Sequence, residues 1–326
     1  MERDLGTSSP RIMVVGTYNQ KYGELAKLTI ESNFRRYCSI HNYFLCSDQM
    51  PEDFERAPQW RKIKLMIELL ESDAADWLFF IDCDCLFMNF AITVESLIDD
   101  EFDLILSRTS GAPDYPLEAS DSKNAFMSSQ FLVKNSENSL KILKEIWEAQ
   151  DWPEGLDINQ FDHEMRQMRF TLAKDKWKPH VKVIEERLIN RFWPSRDPDF
   201  LNSFPDYNKN LWEPGDFIVH VTGCSLEERI EAIDKLKYFT GGLICKWGQG
   251  LEDSRRIYFT PLKNLTNVKI VIEDQEKNPV GTWFFESLTR KIFYWIFFES
   301  IDPENHTIRC YSEGYEGEIA CYKFSV

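Results

Sequence analysis

The amino-acid sequence predicts an α/β domain with a mostly parallel sheet, followed by a small all-β domain. Three observations predict it. Apolar runs that read as buried strands alternate with segments of helical period over the first half of the chain, as in a sheet covered by helices. The run Trp77-Leu-Phe-Phe-Ile81 is apolar at every position, as a strand buried on both faces requires. From about Arg256 the helical period disappears, and short β-rich runs separated by Pro, Gly, Asn and Asp take over.

Ile12 to Val15 reads as the first buried strand, closed by Gly16-Thr17-Tyr18-Asn19, with a helix expected from about Gly23 to Tyr37. A second strand is expected near Tyr43 to Cys46. Trp60, Ile63, Ile67 and Leu70 recur at helical spacing, so an amphipathic helix is expected over 59–71. Phe102 to Leu106 and Phe131 to Val133 read as further strands, and Leu140, Leu143, Ile146 and Trp147 mark a helix after them. Asp157 is placed to cap a helix running to about Arg169. Phe217 to Val221 is an apolar strand ended by Thr222-Gly223-Cys224. Ser225 and Glu228 then stand at capping-box spacing, and Gly241-Gly242 is the expected stop. The β-rich runs fall at 256–260, 268–272, 280–286, 291–298, 307–311 and 318–324. These place a domain boundary near Gly250, with 1–250 as the α/β domain and 251–326 as the β domain.

The 326 residues include 38 basic and 54 acidic side chains, a net charge of -16. A nucleic-acid binder normally carries the opposite sign, so no nucleic-acid partner is expected. An acidic protein that takes an anionic substrate needs a local cation, which points towards a metal. Eight cysteines are scattered without a CxxC pair or zinc-knuckle spacing, so reduced, mostly buried thiols are expected. No signal peptide, anchor or membrane span is read from the chain, and a soluble, cytoplasmic protein is expected.

The sharpest chemical signal is Ile81-Asp82-Cys83-Asp84 at the end of the apolar strand. Ligands of open α/β sheets bind outside the carboxyl ends of strands, so both carboxylates should face a crevice. Two Asp separated by one residue suit a single hard cation, Mn²⁺ or Mg²⁺, bridging a diphosphate. A rival reading exists. An apolar strand followed by Asp-x-Asp also opens phosphohydrolases of the HAD-like type, with Asp82 as nucleophile. Those expect Thr or Val where Cys85 stands here, and a start near the N-terminus.

Four segments resemble glycosyltransferase family 34, the α-galactosyl-, α-xylosyl- and α-mannosyltransferases. They are Gln59-Trp-Arg-Lys62; Trp77-Leu-Phe-Phe-Ile-Asp-Cys-Asp-Cys-Leu-Phe-Met-Asn89; Phe131-Leu-Val-Lys-Asn-Ser136; and Gly215-Asp-Phe-Ile-Val-His-Val-Thr-Gly-Cys224. Their order and spacing match over about residues 11–225. The resemblance implies a GT-A fold, that is, a Rossmann-type nucleotide-sugar-binding domain. It further implies a UDP- or GDP-sugar donor, a glycan or other hydroxyl acceptor, and transfer with retention of anomeric configuration. Asp82, Asp84 and His220 match the family's metal positions. Gln160, with Asp157 in the same segment, matches the catalytic region beside the reacting sugar, where amide dipoles stabilise an oxocarbenium-like centre. Thr17, Tyr18 and Asn19 fall where the family holds the nucleoside. Lys62 is placed to reach phosphate, and Gly223 is counted with the donor-binding residues.

The chain also departs from the family pattern. Met127-Ser128-Ser129-Gln130 replaces the usual Asn-x-Gly, Ile158-Asn159 replaces an acidic pair, and Ser225 replaces a lysine, with Arg229 one turn on as its substitute. Taken alone, His220 reads as a core strand residue, Trp60 as packing, and Cys83 and Cys85 as spacers facing the sheet. Trp283, Tyr294 and Trp295 read as core of the β domain, although aromatics of this kind also stack on sugar rings. A non-catalytic sugar-binding protein is therefore the third reading beside the glycosyltransferase and the phosphohydrolase.

Overall fold

The computed structural model describes residues 9–90, 92–108, 126–149, 163–195, 210–212, 216–237, 243–249, 255–261, 265–288, 294–298, 307–311 and 318–323. β1 (Ile12–Tyr18) leads into α1 (Gly23–Leu28), a π-helical turn (Thr29–Phe34) and α2 (Arg35–His41). β2 (Phe44–Gln49), α3 (Arg61–Glu71), β3 (Trp77–Ile81) and β4 (Cys85–Phe87) follow. Next come β5 (Leu104–Ser107), β6 (Met127–Lys134), α4 (Glu137–Glu148), α5 (His163–Leu172) and β7 (Val181–Ile184). α6 (Glu186–Ile189), β8 (Arg191–Phe192), β9 (Ile218–His220) and α7 (Leu226–Leu236) complete this half.

Six strands form the main sheet in the order β2-β1-β3-β6-β5-β7. Three of its pairings are parallel and two, those of β6 with β3 and β5, are antiparallel. The sheet is mostly parallel, as expected. Every residue of β3 is buried, because helices cover both faces. Val15, Leu78, Phe80, Phe131 and Val133 pack on one face against Ile63, Met66 and Ile67 of α3 and Ile142, Leu143 and Ile146 of α4. Val14, Phe79, Ile81 and Leu132 pack on the other with Ile30, Phe34 and Tyr37. Tyr37 stacks on Phe87 with ring centroids 3.9 Å apart. Trp60 is fully buried, in keeping with a packing role.

The helix expected as one piece from Gly23 to Tyr37 is divided by the π turn and runs on to His41. The widened turn has a local function. Thr29 Oγ1 donates to Cys83 O at 2.7 Å, while Asn33 Nδ2 donates to Phe87 O and Asn33 Oδ1 accepts from Phe87 N. One helix face is thereby fastened to the segment that carries the acidic motif.

A second, small sheet has the order β4-β9-β8. The antiparallel pairing of β4 with β9 sets Cys85 opposite His220. α7 begins with a complete capping box: Glu228 N donates to Ser225 Oγ, and Ser225 N donates to the Glu228 carboxylate. The expected stop at Gly241-Gly242 lies outside the described residues.

The remaining strands are all antiparallel. β10 (Leu243–Gln249), β11 (Arg255–Pro261) and β14 (Tyr294–Phe298) form one sheet in that order. β12 (Leu265–Glu273), β13 (Pro279–Leu288), β15 (Thr307–Tyr311) and β16 (Glu318–Lys323) form another in the order β13-β12-β15-β16. The six β-rich runs of the sequence all become strands; β10, which the sequence reading did not anticipate, pairs with β11 across position 250. Val268, Ile270 and Ile272 of β12 are buried on one face, and Trp283 is half-buried. The side chains of Tyr294 and Trp295 lie outside what is described. Among the described residues no helix is long and apolar enough to cross a membrane.

Candidate active site

A cleft of about 350 Å³ opens at the carboxyl ends of β1 and β3, a volume within the range of small-molecule sites. Asp82 and Asp84 stand on its floor. The motif is held from three sides. Asp82 N donates to Ser129 O of β6 at 2.9 Å, Cys83 O accepts from Thr29, and Asp84 O accepts from Val221 N at 2.9 Å. The backbone around the two carboxylates is therefore fixed before any ligand arrives.

Asp84 is buried and lies between two nitrogen groups. Its Oδ1 is 3.3 Å from His220 Nε2, and its Oδ2 is 3.0 Å from Arg229 Nη1. Burial alone would raise its pKa, but a protonated His220 together with Arg229 outweighs burial and holds it below the usual carboxylate range. Arg229 is aimed by the capped start of α7, and its Nε also donates to Cys224 O at 3.2 Å. On the far side of the imidazole, His220 Nδ1 is 3.1 Å from Asn190 Oδ1.

Asp82 has a different environment. Withdrawal from water at the cleft floor, reinforced by the nearby charge of Asp84, pushes it up to about 6 despite the opposing pull of Lys62. The ammonium of Lys62, on α3, lies 3.3 Å from Asp82 Oδ1 and 3.4 Å from Glu164 Oε1, and it donates to Ser128 O at 3.1 Å. Burial opposes the charge on Lys62, but the two carboxylates more than offset it, so its pKa is raised.

Thr17 and Tyr18 at the end of β1, and Asn19 just after it, line the cleft. Thr17 Oγ1 donates to Asp48 Oδ2 at 2.9 Å, and Arg61 clamps that same carboxylate with two hydrogen bonds. Asn19 Oδ1 accepts from Tyr22 N and caps the short turn that follows. Gly223 does not line the cleft. It takes a left-handed conformation (φ 69°), which favours glycine, and its carbonyl accepts from Ser195 Oγ at 2.6 Å. Gln160 and Asp157 lie outside the described residues. Among the sequence-derived candidates, Thr17, Tyr18, Asn19, Lys62, Asp82, Asp84 and His220 share the one cleft.

Sequence reasoning missed Glu164, Asn190 and Gln59 as members of the site. Glu164 sits near the start of α5, and Asn190 just before β8. Neither stands in a local pattern that sets it apart, and each reaches the site only through tertiary packing. Cys83, expected to face the sheet, lines the cleft, whereas Cys85 is buried behind it and accepts from Gln130 Nε2. The described cysteines Cys38, Cys46, Cys83, Cys85 and Cys224 are free thiols.

Ligand atoms of Asp84, Cys85 and His220 lie within 4.8 Å of one another. Cys85 does not face the cleft, and its thiol pKa is pushed far up by burial, so it makes a poor ligand for a hard cation. In the tautomer whose Nδ1–H donates to Asn190 Oδ1, the Nε2 lone pair faces Asp84 Oδ1. Two acceptor atoms at 3.3 Å suit a cation between them. Asp82 is not part of that cluster but lines the same cleft, so Asp84 and His220, with Asp82 beside them, offer the oxygen and imidazole donors that a hard divalent cation takes.

The sequence profile of the galactosyl transferase GMA12/MNN10 family matches residues 8–231, and the chain belongs to this family, glycosyltransferase family 34. It is an enzyme, a glycosyltransferase, whose sheet and family make it a GT-A-type domain. The family decides against the phosphohydrolase and the non-catalytic readings. Among solved structures, the chain is similar to a glycosyltransferase involved in glycosylation of the major capsid of PBCV-1. That likeness has 19% identity and a TM-score of 0.49, covering 69% of this chain and 99% of that one. It is also similar to GlyE of Streptococcus pneumoniae TIGR4 (13% identity, TM-score 0.44, 69% of this chain and 60% of that one). A third is the galactosyltransferase LgtC in complex with donor and acceptor sugar analogs (13%, 0.40, 68% and 95%). No curated protein sequence matches the chain.

Proposed function

We propose that the enzyme is a metal-dependent, retaining glycosyltransferase that moves a sugar such as galactose, xylose or mannose from a nucleoside-diphosphate donor to a hydroxyl acceptor. The observation that carries this reading is the convergence of Asp82, Asp84 and His220 on one cleft floor, with His220 Nε2 3.3 Å from Asp84 Oδ1.

Charge arithmetic supports the metal. Among the described residues the charged side chains lining the cleft are Asp82, Asp84 and Glu164 against Lys62 and Arg229, so with His220 neutral they leave one net negative charge. A diphosphate would be repelled by that balance, and a divalent cation reverses it to +1. Asp82, Asp84 and His220 would hold Mn²⁺ or Mg²⁺. When bound, such an ion supplies Lewis-acid neutralisation of the departing diphosphate.

The chain's own residues have separate tasks. Lys62 and Arg229 each add a fixed positive charge beside the acidic pair, where a phosphate leaving group gathers negative charge. Asn190 orients His220. Thr17, Tyr18 and Asn19 flank the nucleoside end, and the Thr17–Asp48–Arg61 chain of hydrogen bonds holds that wall rigid. Gln160 and Asp157 belong beside the reacting sugar on this reading, as the family resemblance implies. The test is a thermal-shift panel of UDP- and GDP-sugars, each with and without Mn²⁺. One donor should raise the melting temperature by several degrees only when the metal is present. Equal shifts without metal would remove the metal from the reading, and no shift with any donor would remove the donor class.

A further inference from the structure

The wall of the cleft formed by β6 and α5 has an excess of hydrogen-bond acceptors. Glu164 is buried, yet only one of its carboxylate oxygens is engaged: Oε1 accepts from Ser128 Oγ at 2.9 Å and faces Lys62 Nζ at 3.4 Å. Oε2 is buried without a hydrogen-bond donor among the described residues. Gln59 Oε1, on the turn that enters α3, is a second buried acceptor without a donor, and both residues line the cleft. A buried acceptor is unfavourable unless a donor reaches it. The terminal torsion of a glutamate is soft and roughly two-fold, so either oxygen can be turned towards a ligand.

The chemistry of the missing partner follows. Ionised phosphates carry only acceptors and cannot satisfy this wall, whereas sugar hydroxyls donate. The position agrees. Lys62 bridges Asp82 to Glu164, so Glu164 stands one cation beyond the acidic floor, while the nucleoside end is assigned to Thr17, Tyr18 and Asn19 at the carboxyl end of β1. We propose that Glu164 is a specificity-determining residue of the donor-sugar subsite, where its carboxylate accepts a hydrogen bond from a hydroxyl of the transferred sugar. The inference rests on the nucleotide-sugar reading above and adds to it the group that reads the sugar.

The test compares binding, by titration calorimetry with Mn²⁺, of UDP, UDP-galactose and its deoxy and deoxyfluoro derivatives at each ring position. If UDP-xylose or GDP-mannose binds tighter, the matching series replaces it. Fluorine keeps the size and a weak acceptor but cannot donate. At one position both fluorination and deoxygenation should weaken binding to the wild-type protein, by about tenfold or more. In Glu164→Gln that penalty should fall to roughly threefold or less, with UDP alone bound as in wild type. The inference is overturned if wild type tolerates fluorine at every position, if Glu164→Gln keeps the full penalty, or if the variant loses UDP as strongly as the sugar nucleotide. The wild-type fluorine series decides the matter if the variant does not fold. Failure of every nucleotide sugar to bind wild type would instead remove the donor reading itself.

Discussion

His220 and Asp84 meet because β9 pairs with β4: the register places Cys85 opposite His220, and His220 Nε2 comes to rest 3.3 Å from Asp84 Oδ1. The paired segments are only three residues each. The site therefore depends on a short ladder, and on the groups that hold its two sides.

Asn190 holds one side. It is fully buried, and its Oδ1 faces His220 Nδ1. Asn190→Ala should free the imidazole to rotate and change tautomer, weakening Mn²⁺ binding by about 10–100-fold. Calorimetric titration of Mn²⁺ checks this, and an unchanged affinity would leave Asn190 a packing residue.

Thr29 holds the other. Thr29→Val keeps the shape of the side chain but removes the donor to Cys83 O, the carbonyl between the two acidic residues. A stability loss of about 1–2 kcal/mol is expected from urea unfolding. Turnover should fall further than nucleoside-diphosphate affinity, because the motif is loosened rather than lost. An unchanged urea midpoint would show that the π turn does not anchor the motif.

These two anchors also show where the sequence is informative. β3 and the capping box of α7 were legible because each is a local pattern: an apolar run in one case, Ser and Glu three residues apart in the other. Five strands of the main sheet followed from such patterns, whereas its edge strand β7 (Val181–Ile184) was not anticipated, and the apolar run 217–221 became part of the small second sheet. The β4–β9 ladder was not legible from periodicity, since three-residue strands far apart in sequence carry no period; only the family resemblance pointed to His220. The π turn was invisible for a related reason. Its apolar spacing reads as ordinary helix, and its purpose lies in bonds to Cys83 and Phe87. Glu164 shares the helix period of α5 with Met168 and Thr171, which are buried and do not line the cleft.

The division of the chain gives a separate prediction. Among the described residues, those lining the cleft all precede the end of α7, whereas β10 pairs forward with β11. Truncation after Lys237 should leave a folded domain that binds nucleoside diphosphate. Limited proteolysis and calorimetry check this; an unfolded product would show that the β-rich segment is an integral layer of the catalytic domain.

Asp84→Asn removes the carboxylate shared by His220 and Arg229 while retaining the size of the side chain. Turnover should fall by about 100-fold or more, with circular dichroism unchanged. Activity within twofold of wild type would exclude Asp84 from the metal site.

The most direct test is the release of nucleoside diphosphate from the donor chosen by the thermal-shift panel, measured with an acceptor glycan before and after chelation with EDTA. The account predicts turnover that disappears with EDTA and returns on adding Mn²⁺ in the wild-type protein, but is not restored by Mn²⁺ in Asp84→Asn. Turnover that persists in EDTA would contradict the assignment of Asp82, Asp84 and His220 as a metal site.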